Sequence, residues 1–222
     1  MVSSFFLPWM LLWPLAGAVV TALGRHRLSH RVLAGIGSAA VGLAFAGALA
    51  ALRQLQSLEA GQVLGFKLWR WALSGELSVT LGLMGDALAL WFALVVTGVG
   101  FLIHVYSAGY MAGDPSFGRY YAQLNYFVFA MSLLVLSDGL VGLIIGWGNV
   151  GLASYLLIGF WHRRDAARRA ATKAFLITQA GEVAMLVGLF WAAAALGDLH
   201  YPALLASLDR SEEHTSELQS LR

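Results

Sequence analysis

Four ionisable side chains interrupt apolar stretches of this chain: Glu182, Lys173, His104 and Asp138. A charge inside a membrane-length apolar run is expensive, so each is a candidate for chemistry. Glu182 stands in Thr178-Gln179-Ala180-Gly181-Glu182, about three turns into the last apolar run. An acid placed there must be paired, protonated or wetted, which suits a group that passes protons. The competing reading is an acid buried against a neighbouring helix. Lys173 opens the same run, nine residues earlier and about 13–14 Å away along a helix. The two cannot pair directly. Either they belong to one chain of polar groups through Thr178 and Gln179, or Lys173 reaches the membrane interface on its aliphatic stem. His104, in Leu102-Ile103-His104-Val105-Tyr106, carries a side chain whose ordinary titration range suits proton transfer. Its bland alternative is a hydrogen-bonded packing residue. Asp138, in the turn signal Ser137-Asp138-Gly139, is expected to solvate that turn or cap the following helix. The chemistry these residues offer is a proton relay of Glu182, Lys173 and His104.

Other chemistries lack their parts. There is no cysteine for iron–sulfur ligation and no paired-histidine motif for haem or zinc. The glycines are spread through apolar runs, without a P-loop or dinucleotide fingerprint. No metal and no cofactor is therefore expected on this chain. The 14 Lys and Arg are too few and too scattered for a nucleic-acid surface.

The elements that must position the relay follow from composition. Of 222 residues, 59% are hydrophobic and only 12% charged. Soluble domains carry about twice that charge, and the mean hydropathy is +0.72. The expected fold is all-α, a polytopic transmembrane helix bundle. A span needs roughly 20 apolar residues, and six fit: 5–23, 32–52, 87–106, two halves of 120–161 divided at Ser137-Asp138-Gly139, and 171–196 ending at Gly197-Asp198. Pro8 and Pro14 fall near the start of the first, where the deeper one threatens a kink. Between spans two and three, Leu77, Val79, Leu81 and Leu83 alternate with small or polar residues. That period of two predicts a short strand or hairpin outside the membrane. Trp69 and Trp71 nearby suit an interfacial belt.

Charge placement supports the count. The loops after spans one, three and five carry Arg25, Arg27, Arg31, Arg119, Arg163, Arg164, Arg168 and Arg169. The segments after spans two and four carry only Arg53, Lys67 and Arg70. Positive-inside counting puts the odd loops in the cytoplasm and the N-terminus outside. The last stretch, Arg210 to Ser220, is abruptly polar and acidic. It reads either as the translation of a sequencing-library adapter, with the natural sequence interrupted near Asp209, or as a polar C-terminal tail.

Several blocks carry a resemblance. They are Val95-Val96-Thr97-Gly98-Val99-Gly100-Phe101-Leu102-Ile103-His104, Gly109-Tyr110-Met111, Gly113-Asp114-Pro115, Leu124-Asn125, Gly151 through Trp161, and Lys173-Ala174-Phe175. In this order and spacing, over about 66–201, the chain resembles the antiporter-like subunit L family of bacterial NADH:quinone oxidoreductase (respiratory complex I). The resemblance implies an organisation of spans one and two over 1–65, the family's N-terminal region over 66–118, the truncated start of a proton-conducting repeat over 119–209, and the adapter-like tail over 210–222. Family members are far longer, with inverted repeats each holding a broken helix. A chain of this length would lack the first broken helix and its lysine, and alone should not pump.

The resemblance also implies partners and a place. The partners would be other membrane-arm subunits and the lipid bilayer, with no nucleic acid. The NADH, flavin, iron–sulfur and quinone sites would lie in those partner subunits. The location would be the bacterial inner (plasma) membrane, multi-pass. The function implied is a share of a proton-translocating NADH:quinone oxidoreductase. Two alternatives stand beside it: a subunit of a cation/proton antiporter or other ion-coupled complex of the same family, and a non-conducting structural paralogue.

Two positions depart from the family pattern. The family places a glutamate directly after the tryptophan of span five, where Trp147 is here followed by Gly148. It places an arginine three residues before the acid of span six, where Gln179 here precedes Glu182. One anion and one cation are lost together, which avoids leaving either unpaired in low dielectric. The expectation is a divergent paralogue with an impaired or rerouted first proton path.

Overall fold

The computed structural model describes residues 1–59, 61–74, 77–196 and 201. Helix end Gly197-Asp198, the stretch from Arg210 and the side chain of Trp71 lie outside the described residues. Six helices follow the six expected spans: α1 (Phe6–Gly24), α2 (His30–Gln56), α3 (Ala87–Tyr110), α4 (Phe117–Leu136), α5 (Leu140–Ile158) and α6 (Asp165–Leu196). A strand pair, β2 (Leu64–Ser74) and β3 (Leu77–Gly85), forms the expected hairpin between α2 and α3. A two-residue strand, β1 (Val2–Ser3), adds to β2 in parallel, so the small sheet runs β1-β2-β3.

Caps and charges, more than hydropathy, set the helix ends. Ser29 accepts from the Val32 N–H to start α2, and Asp86 from the Ala89 N–H at 2.7 Å to start α3. Each satisfies an amide that the first turn leaves unpaired. The helix α6 begins at Asp165, six residues before its apolar run, where an acid complements the helix dipole. There Asp165 also pairs with Arg168 at 2.8 Å on the exposed first turn. Pro14 lies inside α1, which continues through it as one helix of 19 residues.

Five of the helices are long and apolar enough to cross a membrane; α4 is the sixth and is less apolar. It packs against α1, α2, α3 and α5, and no residue from Phe117 to Leu136 is exposed. Shielded from lipid, it can carry Arg119, Gln123, Asn125 and Tyr126 without a hydrocarbon penalty on each.

The two ends of the bundle are chemically distinct. At one end, His30 Nδ1 meets the Ala112 carbonyl at 3.3 Å, Arg119 donates to the Phe160 carbonyl at 2.8 Å, and the Trp161 indole donates to Asp114 at 3.0 Å. These contacts gather the loops after α1, α3 and α5, the basic ones, on one side. That indole bond, followed by the Ser116 N–H, holds the Asp114 carboxyl below the usual range. At the other end, the sheet meets the α4–α5 turn: Leu83 bridges Ser137, and Asp138 accepts from the Gly82 N–H at 3.1 Å. Asp138 thus binds the hairpin rather than capping α5, whose N-cap is Gly139. A Cβ on Gly82 would collide with the Asp138 carboxylate, so a glycine is required for this close approach. A core of Leu7, Met10, Leu64, Leu83, Leu90 and Leu136 seals the sheet against the helices.

Candidate functional site

Helix periodicity brings Gln179 and Glu182, three residues apart, to the side of α6 that faces α5. Gln179 Nε2 donates to Glu182 Oε2 at 2.6 Å. The other carboxylate oxygen lies over Gly148, where a Cβ would stand 2.9 Å from Oε1. One turn further along α5, Gly151 faces Gln179 Nε2, with 3.5 Å from a built Cβ. Two glycines on α5 thus form a shallow strip that accepts two polar side chains from α6. Asn149, beside Gly148, turns towards α4: the Tyr126 hydroxyl donates to its Oδ1, and its Nδ2 donates to the Ile145 carbonyl at 2.7 Å. The result is a polar layer across three helices, Tyr126–Asn149 on one side of α5 and Glu182–Gln179 on the other.

Lys173 does not share this layer. Nine residues make about two and a half turns, so Lys173 leaves α6 on the face opposite Glu182. It is exposed and lines a groove with Arg168, Arg169, Thr172, Leu176 and Ile177. Thr178 donates to the Ala174 and Phe175 carbonyls of its own helix, so its hydrogen does not link Lys173 to Gln179.

His104 builds a separate site among α1, α2, α3 and α4. It is fully buried. The Gly100 carbonyl can only accept, so His104 Nδ1 donates to it at 2.7 Å. The amide of Asn125 then donates to Nε2 at 3.0 Å and to the Tyr121 carbonyl at 3.0 Å. The Tyr121 hydroxyl closes the ring by donating to the His104 carbonyl at 2.6 Å. This pattern fixes a neutral imidazole in one tautomer. Room for Asn125 comes from two glycines: a Cβ on Gly17 would strike its Oδ1, and one on Gly37 would stand 2.8 Å from its Nδ2. Asn125→Leu is expected to leave His104 Nε2 unpaired at zero exposure, at a cost of about 1–3 kcal/mol. A lowered thermal midpoint of the purified protein in detergent is the check; an unchanged midpoint contradicts this geometry.

Sequence reasoning singled out Glu182, Lys173 and His104 as one relay. The structure separates them into three environments, and it joins Glu182 to the two departure positions, Gly148 and Gln179. It adds Tyr126, Asn149, Tyr121 and Asn125. The available signal was local: Tyr121, Asn125 and Tyr126 belong to the polar cluster Arg119-Tyr120-Tyr121-Ala122-Gln123-Leu124-Asn125-Tyr126, and Asn149 is an amide within the apolar run of α5.

Comparison with known proteins now bears on the site. Residues 71–121 match the model of NADH-ubiquinone oxidoreductase (complex I) chain 5 N-terminus, and residues 137–221 the model of the NADH:quinone oxidoreductase/Mrp antiporter transmembrane region. NADH-quinone oxidoreductase subunit L of Mycobacterium tuberculosis is 40% identical over 204 residues, 90% of this chain. The chain belongs to the antiporter-like subunit L family of complex I.

Other complex I subunits agree. Subunit L of Escherichia coli is 40% identical over 189 residues, covering 85% of this chain. NADH-ubiquinone oxidoreductase chain 5 of Dictyostelium citrinum is 37% identical over 180 residues, covering 81%. The chain spans about a third of the length of the subunit L relatives, 32% and 30% of those from M. tuberculosis and E. coli. The fold is also that of a chain in the membrane-bound sulfane sulfur reductase, an archaeal respiratory membrane complex, with a TM-score of 0.74 at 17% identity, over 90% of this chain and 39% of that one. Gly148, where the resemblance implies an acid, instead lies under the carboxylate of Glu182.

Proposed function

We propose that this chain is part of a proton-translocating membrane-arm subunit of an NADH:quinone oxidoreductase. Partner subunits pass electrons from NADH to quinone and hold the flavin, iron–sulfur and quinone sites. This subunit moves protons through its helices. The observation that carries the reading is the Glu182 carboxylate seated over Gly148, inside a helix bundle of complex I family membership, with Gln179 as its hydrogen-bond donor. Glu182 is the proton-carrying group, and the Gln179 amide, donating to it at 2.6 Å, orients it. His104, held in one tautomer by Gly100 and Asn125, sets the packing of α3 on α4. Lys173, on the opposite face of α6, serves a different surface. The gathering of the basic loops at one end supports a cytoplasmic position for that end, with the N-terminus outside.

Glu182→Gln keeps size and hydrogen bonding but removes the titrating proton. In the full-length subunit assembled in its complex, proton uptake into inverted vesicles is expected to fall at least tenfold per NADH oxidised. Unchanged proton uptake contradicts the assignment. The second family reading, a cation/proton antiporter subunit, is supported by the shared transmembrane match over 137–221. It requires that uptake depend on sodium, so a sodium-free buffer separates the two.

A further inference from the structure

A cavity of about 620 Å³ opens at the basic end of the bundle, where the loops after α3 and α5 meet the start of α4. Arg119, His162, Arg163 and Arg164 line it, and among the described residues Asp114 is its one carboxylate. That carboxylate is already engaged. Its Oδ2 accepts from the Trp161 indole at 3.0 Å and its Oδ1 from the Ser116 N–H at 2.7 Å. Asp114 therefore ties the two loops together and leaves the cations of the cavity uncompensated. Among the described residues, Arg119, Arg163 and Arg164 have no carboxylate oxygen within 4.0 Å; the ion pair nearby is Arg168 with Asp165, on the first turn of α6.

Two of the arginines are held instead by aromatic and neutral groups. Arg119 donates to the Phe160 carbonyl at 2.8 Å and to His162 Nδ1 at 3.4 Å, with the Phe160 ring centre 4.8 Å away. Its Nε is buried without a protein partner. The Arg164 guanidinium lies 5.1 Å from the Trp161 ring centre. Such contacts orient a guanidinium without neutralising it. A partly buried cation with no counter-charge is costly, and an entering anion removes that cost. The planar fork of a guanidinium matches the oxygens of a phosphate.

The position of the cavity selects among phosphates. Two apolar helices end beside it, α3 at Tyr110 and α5 at Ile158. Tyr110, Ile158 and Trp161 are all exposed, the arrangement expected at the headgroup level of a bilayer. A phospholipid is held at that depth by its chains, and a soluble phosphate is not. We propose that this cavity binds the phosphate of an anionic phospholipid, with Arg119 as the fixed inner contact and Arg163 and Arg164 closing over it from the α5–α6 loop. The site lies apart from the Glu182 layer and does not depend on the proton-carrier reading.

The test uses the full-length subunit in its complex, placed in phosphatidylcholine nanodiscs. These contain a trace of phosphatidylglycerol with a photoactivatable group on its headgroup, and labelled peptides are identified by mass spectrometry after illumination. Label is expected on 110–119 and 160–164, about tenfold above that from the same group carried on phosphatidylcholine. Arg163→Gln combined with Arg164→Gln should lower it about tenfold. Arg168→Gln combined with Arg169→Gln removes the same charge one turn further on and should change it less than about twofold. Arg119→Lys keeps the charge, loses the fork and should lower the label several-fold. Absence of label on both loops overturns the site. Equal loss in the two double variants also overturns it, because it shows attraction to surface charge alone. Equal labelling by the two lipids overturns the preference for an anionic headgroup, and unchanged label in Arg119→Lys overturns the role of Arg119. Inorganic phosphate at constant ionic strength should leave the label in place. Displacement by it would assign the cavity to a soluble phosphate and overturn the lipid. Labelling is read without pumping, so failure of the Glu182 reading leaves its outcome unchanged.

Discussion

A glutamate introduced at position 148 is expected to cost the full-length subunit most of its proton pumping, even though the family pattern implies an acid there. The Gly148 Cα faces Glu182, and its first added carbon would lie 2.9 Å from Oε1. The new carboxyl would have to share the space that Glu182 occupies. Two carboxylates about 4 Å apart repel by about 4 kcal/mol at an effective dielectric near 20, and one of the pair must hold its proton. A trapped proton does not move on, so a loss of at least tenfold in proton uptake per NADH is the expected result. Gly148→Glu combined with Glu182→Gln removes the repulsion and returns the acid to α5. Pumping should then recover to within a few-fold of the starting protein. Restored or improved pumping in Gly148→Glu alone would show that the two positions do not compete for one site.

The second large effect is expected from one methyl group. Gly146→Ala places a Cβ 2.6 Å from the Leu134 Cα and 2.7 Å from its backbone nitrogen. Side-chain rotation relieves many overlaps, but here the obstacle is the backbone of α4, so α5 itself must move. Small residues that permit such approaches drive helix association in lipid. Overpacking of this kind costs about 1–3 kcal/mol. The shift would also act on the site, because Asn149 and Gly148 follow within a turn on the same helix. Gly146→Ala should therefore lower the thermal midpoint and weaken pumping together. Gly188→Ala is the control: nothing lies within 4 Å of its built Cβ, and alanine is the better helix former by about 1 kcal/mol. Equal thermal midpoints for the two variants would contradict backbone contact at Gly146.

Much of the fold was legible because burial in lipid needs long apolar runs, and these are easy to find. The division of 120–161 at Ser137-Asp138-Gly139 agrees with the break between α4 and α5, since a turn at the bundle end needs polar and small residues. The alternation from Leu77 to Leu83 agrees with β3. Less legible was β2, whose Lys67 and Trp69 obscure any clean period and whose pairing with β3 contains two register shifts. Strand β1 has only two residues, too few for a pattern. The apolar run from 171 lies within α6, which begins six residues earlier because apolarity marks the membrane whereas the Asp165 turn marks the helix. The parity of the basic loops appears in the structure as a shared end, but the exposed sequence could not say that Arg119 reaches the Phe160 carbonyl.

The site was legible only in part. Glu182 stands out as an acid in an apolar run, and Gly148 and Gln179 as departures from the family pattern. That Glu182 lies over Gly148 depends on how α6 is rotated against α5, and periodicity within one helix does not contain that angle. The separation of Lys173 from Glu182, by contrast, is contained in periodicity within one helix. Its spacing of nine residues fixes the angle to Glu182, whereas its surroundings come from neighbouring helices. Asn125 escaped notice as a site residue because its role is to orient His104, and that role exists only where Gly17 and Gly37 leave room.

The most direct measurement is of the proton on Glu182 itself. Infrared difference spectra, recorded on adding NADH to vesicles containing the full-length complex, report carboxyl groups that gain or lose protons. If Glu182 carries the proton, a carboxyl band appears in the native complex, shifts in heavy water and is missing in Glu182→Gln. The same band in both, with equal heavy-water shift, would contradict a proton-carrying role for Glu182.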